Sequence, residues 1–142
     1  MLDLNALRAI GMMAARQARL SVTADTAANE VIDYAALLTP WKAGLQTAGH
    51  VVVYHGYPYR VLQTHDSAQS PDWTPEDAPS LFAPYHGTDR AHALPWRAPA
   101  HAGDAYHEGE WMIFDDGITY VCLQDGVVHD PLVLPQAWRA EA

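Results

Sequence analysis

The chain has 142 residues, 49% of them hydrophobic, and its 8 basic side chains stand against 17 acidic ones. The net charge of −9 repels phosphate groups, which excludes most nucleic-acid binders and disfavours anionic lipid surfaces. The length suits one or two small domains, and a single cysteine cannot form an internal disulfide. We therefore expect domains that are stabilised by packing on each other or in a homo-oligomer, with no nucleic-acid or membrane partner.

A helical lead is predicted at the start of the chain. One helix is expected over Leu4–Leu20 with Asp3 as its N-cap, and a second near Ala27–Leu38 with Asp25 or Thr26 as its N-cap. Three arginines and one aspartate fall in the first twenty residues, whereas the remainder has a net charge of −11. The basic lead could dock on an acidic partner, including the chain's own acidic part, or it could be a solvated helix face.

Two small β modules are predicted after the lead, because the sequence from Gly49 to Phe82 recurs from Gly109 to Trp138. Each copy begins with a hairpin and continues into a proline-spaced segment, so one β module is built twice. Eight positions recur: Gly49, Gly56, Tyr59, Leu62, Gln63, Pro75, Pro79 and Phe82 correspond to Gly109, Gly117, Tyr120, Leu123, Gln124, Pro131, Pro135 and Trp138. Tyr59 and Tyr120 are predicted to be core residues because they hold the same place in both copies.

Turn residues predict both hairpins. Val- and Tyr-rich runs, His50–Tyr54 and Pro58–Gln63, flank His55-Gly56, which suits a two-residue turn with positive φ angles. In the second copy Asp115-Asp116-Gly117 suits a three-residue loop with glycine in the left-handed position. Cys122 falls in a predicted strand as a small core residue. The fold class is therefore α+β, with a helical lead and two small antiparallel β modules in tandem.

An echo further upstream sets the domain boundaries. Pro95-Trp96-Arg97-Ala98 resembles Pro40-Trp41-Lys42-Ala43, which places the start of the second module near Leu94 and gives Trp41 and Trp96 one role, packing at a module edge. The predicted segments are a helical lead (1–38), a first module (39–82), a linker (83–93) and a second module (94–142).

The first copy has a distinctive set of spaced residues: Gly49, Val52, Tyr54, Gly56, Tyr59, Leu62, Gln63, His65, Trp73, Pro75, Pro79 and Leu81. On these residues the first copy resembles the small chitin- and cellulose-binding modules of carbohydrate-binding families 5 and 12. Gln46, Asp66 and Phe82 depart from the family pattern, which has Tyr, Thr and Trp at these places. The whole chain also resembles small tail-associated proteins of phages and prophages.

The resemblance implies a carbohydrate site at Trp73, which occupies the place of an exposed, ligand-contacting ring. The apolar C–H face of a pyranose stacks on such a ring, while hydrogen bonds set its orientation. The aligned residue of the second copy is His129, whereas a shared core position would keep an apolar side chain. The alternative is that Trp73 seals the small core of its own module.

Three further residues are candidates for the carbohydrate site. Tyr57 at the hairpin turn could present a second exposed ring, and Glu76 and Asp72 beside Trp73 could accept hydrogen bonds from sugar hydroxyls. Solvated surface side chains are the alternative for all three. The resemblance gives His65 a structural role, in which it ties a loop to the backbone.

The second copy lacks counterparts of His65 and Trp73, which predicts a scaffold or packing module. Trp111 and Tyr106 are its alternative contact residues. No nucleophile elbow, phosphate loop, zinc-protease motif or Cys-x-x-Cys occurs in the sequence, and the spacings of its eight histidines fit no metal site. We expect no catalysis, no cofactor and no metal.

Two functions remain open. The chain is either a non-catalytic binder of chitin-like or cell-wall glycan on a phage tail, or a structural part of such a tail that uses the module fold for contacts with virion proteins. No signal peptide is expected, because Arg8 and Arg16 interrupt the apolar residues at the start. The expected location is the virion, or the host cytoplasm before assembly.

Overall fold

The structure is a computed structural model that describes residues 12–13, 22–23, 26–100 and 104–141. Helix α1 (Ala28–Tyr34) continues into a 3-10 turn (Ala35–Leu37), so the second predicted helix is confirmed. Nearly all of the helix predicted over Leu4–Leu20 lies outside the described residues. Among the described residues, no helix has the length and apolarity needed to cross a membrane.

The predicted cap of α1 is wrong. Ala27 occupies the N-cap position and no side chain caps the helix. The Thr26 hydroxyl instead accepts a hydrogen bond from the Thr23 N–H at 2.9 Å, so it closes the preceding turn, while Asp25 lies outside the described residues. The helix is held by its apolar face, where Val31 is fully buried.

Among the described residues, five strands build the first module and four build the second. β2, β3 and β5 form a three-stranded antiparallel sheet, and β1 pairs with β4. In the second module β7, β8 and β9 are antiparallel and β6 joins β7 in parallel, which agrees with the predicted α+β class. The strands are β1 (Leu45–Gln46), β2 (Val51–Tyr54), β3 (Tyr57–Val61), β4 (His65–Asp66), β5 (Phe82–Pro84), β6 (Leu94–Pro95), β7 (Trp111–Ile113), β8 (Thr119–Cys122) and β9 (Trp138–Glu141).

Both hairpin turns follow the predicted chemistry. His55 and Gly56 have φ angles of 50° and 78° between β2 and β3, as a two-residue turn of this twist requires. Gly117 has φ of 80° in the three-residue loop between β7 and β8, where the Phe114 N–H donates to the Ile118 carbonyl. Glycine is needed at both turns because other side chains rarely adopt this conformation.

The duplication is visible in the backbone hydrogen bonds. The Trp41 N–H donates to the Val53 carbonyl at 2.8 Å, and the Trp96 N–H donates to the Ile113 carbonyl at 2.8 Å. Both rings also meet the aromatic residue one position further along the strand edge-on, at 5.4 Å in the first module and 6.2 Å in the second. The shared role of Trp41 and Trp96 is therefore confirmed.

Each module has its own small core, and a third cluster lies under α1. Tyr59 is fully buried as predicted, whereas Tyr120 is half-buried. Cys122 is 1% exposed within β8, and burial raises the pKa of its thiol. The buried clusters are Val52, Tyr57, Tyr59, Val61 and Phe82 in the first module; Tyr106, Met112, Phe114, Cys122, Val127, Ala137 and Trp138 in the second; and Val31, Leu38, Val51 and Tyr85 under α1.

Helix α1 is fixed to the segment that joins the two modules. Asn29 hydrogen-bonds Thr88 and Asp89, and the two ring nitrogens of His92 lie 2.8 Å from Asp33 and 2.7 Å from Asp89. The carboxylates raise the pKa of His92 above its ordinary value, chiefly through the hydrogen bond with Asp89. Helix α1 is therefore held both by the apolar cluster beneath it and by these polar contacts.

The two modules pack directly on each other. The Arg97 guanidinium of the second module lies over the Tyr57 and Tyr59 rings, 5.5 and 4.9 Å from their centroids. At the same place the Tyr106 hydroxyl accepts from the Arg97 backbone N–H at 3.3 Å, and the His86 ring stacks on Tyr106 with centroids 3.8 Å apart. Packing of one module on the other was expected from their small size, and the structure shows it. The four-segment division of the chain stays a prediction.

Candidate functional site

The Trp73 loop joins β4 to β5 and is fixed by side chains that bond to the backbone. The Ser67 hydroxyl, which is fully buried, accepts from the Gly44 N–H at 3.1 Å and donates to the Gly44 carbonyl at 3.2 Å. The Thr74 hydroxyl accepts from the Asp77 N–H at 3.1 Å. Pro71 and Pro75 cannot donate to a sheet, so this segment forms successive turns. The loop therefore presents its side chains from a fixed backbone.

Trp73 lies on the surface of this loop with 44% of its residue area exposed. Its ring faces that of His65 at a centroid distance of 6.5 Å, and His65 in turn meets the buried Phe82 edge-on at 5.3 Å. One side of the Trp73 ring thus rests on an aromatic support that reaches into the core. The remaining exposed area is available to a ligand.

His65 connects this support to the backbone. Its Nδ1 lies 2.7 Å from the carbonyl oxygen of Gln63, so Nδ1 carries the proton and donates. This contact is the loop-to-backbone tie expected from the family resemblance. The imidazole therefore holds a fixed orientation beneath Trp73.

The second module shows what the fold needs at the Trp73 position. His129 is exposed there, and its backbone carbonyl accepts from the Trp138 indole N–H at 2.9 Å. In both modules the side chain of the next residue accepts a hydrogen bond from the backbone N–H three positions later. Thr74 accepts from the Asp77 N–H, and Asp130 accepts from the Val133 N–H. Because the position is exposed in both modules, neither core requires a tryptophan there.

The expectation that Tyr57 is exposed is wrong, because only 7% of it is accessible. Tyr57 belongs to the buried cluster of the first module, and the Arg97 guanidinium of the second module lies over its ring, 5.5 Å from the centroid. Burial holds the pKa of the Tyr57 phenol well above its ordinary value. Tyr57 and Trp73 therefore do not share one open face.

The two carboxylates differ in their surroundings. Glu76 Oε1 lies 3.1 Å from His55 Nδ1 and 3.6 Å from Arg97 Nη1, so this side chain takes part in the junction between the modules. It remains 41% exposed. Asp72 is exposed on the loop directly before Trp73. Asp72 is therefore a surface carboxylate, whereas Glu76 makes contacts at the junction that the sequence did not predict.

An aromatic group at the first hairpin was not anticipated as a unit. Tyr54 stacks on His55 with ring centroids 3.9 Å apart, and Trp41 meets Tyr54 edge-on at 5.4 Å. Trp41 and Tyr54 are half-buried, whereas His55 is exposed. Trp41 and Tyr54 each belong to a motif that the sequence shows, but the contact between their rings depends on the pairing of Pro40 with Val53 of β2.

Of the contact residues considered in the second module, Tyr106 is buried and that expectation is wrong. Its ring is stacked between His86 and Trp96, at centroid distances of 3.8 and 5.1 Å. Burial raises the pKa of its phenol to about 12. Trp111 is half-buried, and its backbone N–H donates to the Gly87 carbonyl at 2.9 Å.

Trp73 lies apart from the groove that the structure shows on the first module. Within the ranges that the structure describes, no group of three or more His, Cys, Asp or Glu side chains is placed to hold a metal ion. A groove of about 450 Å³ lies elsewhere on the first module, between Leu38 and the start of β2, and is lined by Leu45 and His50 among others. Trp73 is thus exposed on a loop outside that groove.

Residues 40–83 match the profile of carbohydrate-binding module family 5/12. The match spans all five strands of the first module except the final residue of β5, and it includes Trp73. No curated protein that was compared with the chain is similar to it.

The first module is thus similar to modules that bind carbohydrate and do not catalyse, which supports carbohydrate binding by this chain. The matched range stops before the second module, although the second module repeats its backbone hydrogen bonds. The residues that differ between the two modules are therefore informative about function, since both sequences satisfy the same fold.

Proposed function

We propose that this protein is a non-catalytic binder of chitin-like or cell-wall glycan and that the first module holds the glycan through the Trp73 ring. The observation that carries the proposal is the comparison of equivalent positions. Trp73 and His129 are both exposed, so the indole is not needed by the fold. The match of residues 40–83 to a carbohydrate-binding family supports a ligand of this class.

The chemistry of the loop suits a sugar chain. The exposed part of the Trp73 indole offers an apolar face to the C–H side of a pyranose, and His65 and Phe82 hold that face in place. Asp72 is the carboxylate nearest in sequence and accepts hydrogen bonds from sugar hydroxyls. Glu76 contributes only at the rim, because His55 and Arg97 already engage it.

Binding to insoluble polymers tests the site. The full chain, Trp73→Ala and the matched control His129→Ala are incubated with chitin, cellulose and peptidoglycan, and the retained protein is measured. We expect Trp73→Ala to weaken retention by about tenfold or more, the effect of losing a central aromatic contact, and His129→Ala to leave it unchanged. Thermal unfolding checks that each variant is folded, since exposed substitutions change stability by about 0.5 kcal/mol or less.

Two results would count against the proposal. Equal retention of the wild type and folded Trp73→Ala would remove Trp73 from the site while leaving glycan binding in place. Failure of the folded wild type to bind any of the polymers would contradict glycan binding itself. It would favour the second candidate, a structural part, which is supported by the exposed Leu132 and Val133 of the second module.

We further propose that the protein belongs to a phage or prophage tail, where it contacts other virion proteins. The support for this location is the arrangement of the sequence, a helical lead followed by two β modules, which resembles that of small tail-associated proteins. Mass spectrometry of purified particles from the source strain is the direct test. Particles that contain other tail proteins but lack this chain would contradict the proposal.

A further inference from the structure

The strand register places six side chains of the second module on one surface, which we call the outer face. Residues that pair across antiparallel strands lie on the same side of a sheet, and so do residues two apart along one strand. β7, β8 and β9 are paired in this way. The outer face consists of two rows across these strands: Trp111, Val121 and Arg139, then Ile113, Thr119 and Glu141.

The outer face is the side of the sheet that does not meet the core. The alternate residues of the same strands, among them Met112, Cys122 and Trp138, form the buried cluster of the second module. Trp111 is half-buried and belongs to none of the buried clusters of the described residues. Its indole makes no hydrogen bond or ring contact within the part of the chain that the structure describes. Ile113, on the same strand, is 36% exposed, so this part of the face is open to solvent.

Helix α1 covers the same side of the first module's sheet. Val51 and Val53 are the counterparts of Trp111 and Ile113 in the alignment of the two hairpins, and both pack in the cluster beneath α1. Val51 is only 9% exposed there. On the side of Trp111, the described ranges contain no such cluster. The two modules therefore use the same side of one sheet differently.

The presence of Trp111 in place of Val51 changes what this side can receive. Side chains stand roughly perpendicular to a sheet, so a valine leaves room for a helix to lie on the strand, whereas an indole occupies that room. The flat indole instead offers an apolar face to the C–H side of a pyranose. A ring at this position therefore favours a sugar over a helix as the occupant.

A hydrogen-bonding pair lies at the other edge of the outer face. The Arg139 Nε donates to the Glu141 carboxylate at 2.7 Å, and the two side chains are 62% and 30% exposed. The remaining N–H groups of the guanidinium and the second carboxylate oxygen have no partner in the described ranges, so they can bind hydroxyl groups.

The ring and the polar pair are close enough for one ligand. Val121 separates Trp111 from Arg139 in their row, and it is 6% exposed, so it forms an apolar base between them. Neighbouring strands are about 4.8 Å apart, so the backbones that carry Trp111 and Arg139 are about 10 Å apart. A short stretch of sugar chain can therefore touch both.

We propose that the outer face is a second glycan-binding site, in which Trp111 stacks on a pyranose and the Arg139–Glu141 pair hydrogen-bonds sugar hydroxyls. The class of ligand rests on the proposed function, whereas the place of the site rests on the second module. The protein then has one glycan contact on each module. Two contacts hold an insoluble polymer more tightly than one, because the second forms within a chain that is already bound.

Variants that give the outer face the first module's own side chains test the site. Trp111→Val installs the counterpart residue, which suits a strand, and Trp111→Tyr is the matched control that keeps an aromatic ring. Arg139→Ala removes the guanidinium and installs the residue of its counterpart, Ala83. Each is made in the full chain, alone and combined with Trp73→Ala. Retention is measured on chitin, cellulose and peptidoglycan over a range of polymer concentrations.

The expected losses are graded. Trp111→Val should weaken retention by about threefold to tenfold and Arg139→Ala by about threefold, whereas Trp111→Tyr should keep most of it. Trp73→Ala/Trp111→Val should bind more weakly than Trp73→Ala by about tenfold or more, because both stacking rings are then absent. Thermal unfolding identifies the folded variants, and Arg139→Ala tests the face if Trp111→Val does not fold.

The failure of this site and the failure of the Trp73 site give different results. Equal retention of Trp73→Ala and folded Trp73→Ala/Trp111→Val would overturn the second site and leave the first intact. Equal losses in Trp111→Val and Trp111→Tyr would also overturn it, because the ring would not be the contact. A loss in Trp111→Val with none in Trp73→Ala would support the outer face and remove Trp73. A wild type that binds no polymer would overturn both and leave a protein as the occupant of the outer face.

Discussion

The first and second modules share a backbone and differ in what they expose. Corresponding N–H and carbonyl groups bond at both edge tryptophans and at both hairpins, although Gly49–Phe82 and Gly109–Trp138 have few identical residues. On the proline-spaced loop, the first module has Trp73, Glu76 and Asp77. The second module has His129, Leu132 and Val133 at the corresponding positions. The pattern of turns and buried positions is thus enough for the fold, and the exposed positions are free to vary with function.

The largest predicted difference between the modules is at Tyr106 and its counterpart Gln46. Tyr106 is fully buried between two rings, so Tyr106→Ala should lower the free energy of unfolding by about 3–5 kcal/mol. Gln46→Ala removes mainly the hydrogen bond from Nε2 to the Lys42 carbonyl, worth about 1 kcal/mol. Denaturant unfolding followed by circular dichroism measures both.

Tyr106→Phe keeps the ring and loses only the hydroxyl that accepts from the Arg97 N–H at 3.3 Å. It should cost about 1 kcal/mol, and it provides a folded variant if Tyr106→Ala does not fold. Equal losses for Tyr106→Ala and Gln46→Ala would show that the second core does not depend on this ring.

The next effect is at the contact between the modules. Arg97→Ala should lower stability by about 1–2 kcal/mol, because it removes a cation–π contact and the Glu76 ion pair at the same place. It should also change the pKa of Tyr57 in two opposing ways, since exposure of the phenol lowers that pKa and loss of the Arg97 charge raises it. Burial is the larger cause of the raised pKa, so a net fall toward the ordinary value of 10 is expected. Ultraviolet titration of tyrosinate absorbance measures this change.

Lys42→Ala is the matched control, since Lys42 is the exposed counterpart of Arg97 and should change stability by less than about 0.5 kcal/mol. An unchanged tyrosine titration in Arg97→Ala would mean that the guanidinium does not cover Tyr57.

The smallest effect is a pH dependence of stability at His92, which joins helix α1 to the segment between the modules. The pKa of His92 is raised above its ordinary 6.5, so the stability that it contributes is fully present below pH 6.5 and is lost as pH rises through the raised pKa. The pKa of Asp89 is lowered from 3.8, so its contribution is present above pH 3.8 and is lost at more acidic pH. Both contributions are therefore present between these limits.

Thermal unfolding of the wild type and His92→Asn at pH 5.5 and pH 8.5 measures the effect. The difference in Tm between the two proteins should be larger at pH 5.5, by about 1–2 °C, since the contact is at the surface. A difference that does not change with pH would show that the charged imidazole does not hold α1.

The features that could be predicted from the sequence are local ones. His55-Gly56 and Asp115-Asp116-Gly117 determine their turns through φ preferences alone, and the Val- and Tyr-rich runs beside them form strands. The α+β class follows from these elements. Trp73 was identified by its place in a family pattern, and its exposure agrees with the interpretation as a platform, although its contact with sugar stays a prediction.

The features that could not be predicted depend on contacts between distant residues. Tyr57 packs into the core of the first module and is also covered by Arg97, which is 40 positions further along the chain, and nothing beside Tyr57 in the sequence indicates this second contact. Glu76 is engaged by the same arginine. The cap of α1 failed for a competing local reason, because Thr26 bonds within the turn that precedes the helix.

The buried thiol of Cys122 can report how often the second module opens. It is 1% exposed, and its raised pKa reduces the reactive thiolate, so the folded chain resists alkylation and cross-linking through sulfur. A reagent can reach the sulfur when the packing around β8 opens. The rate at which a small alkylating agent modifies the native protein therefore reports how often the core of the second module opens, without any denaturant.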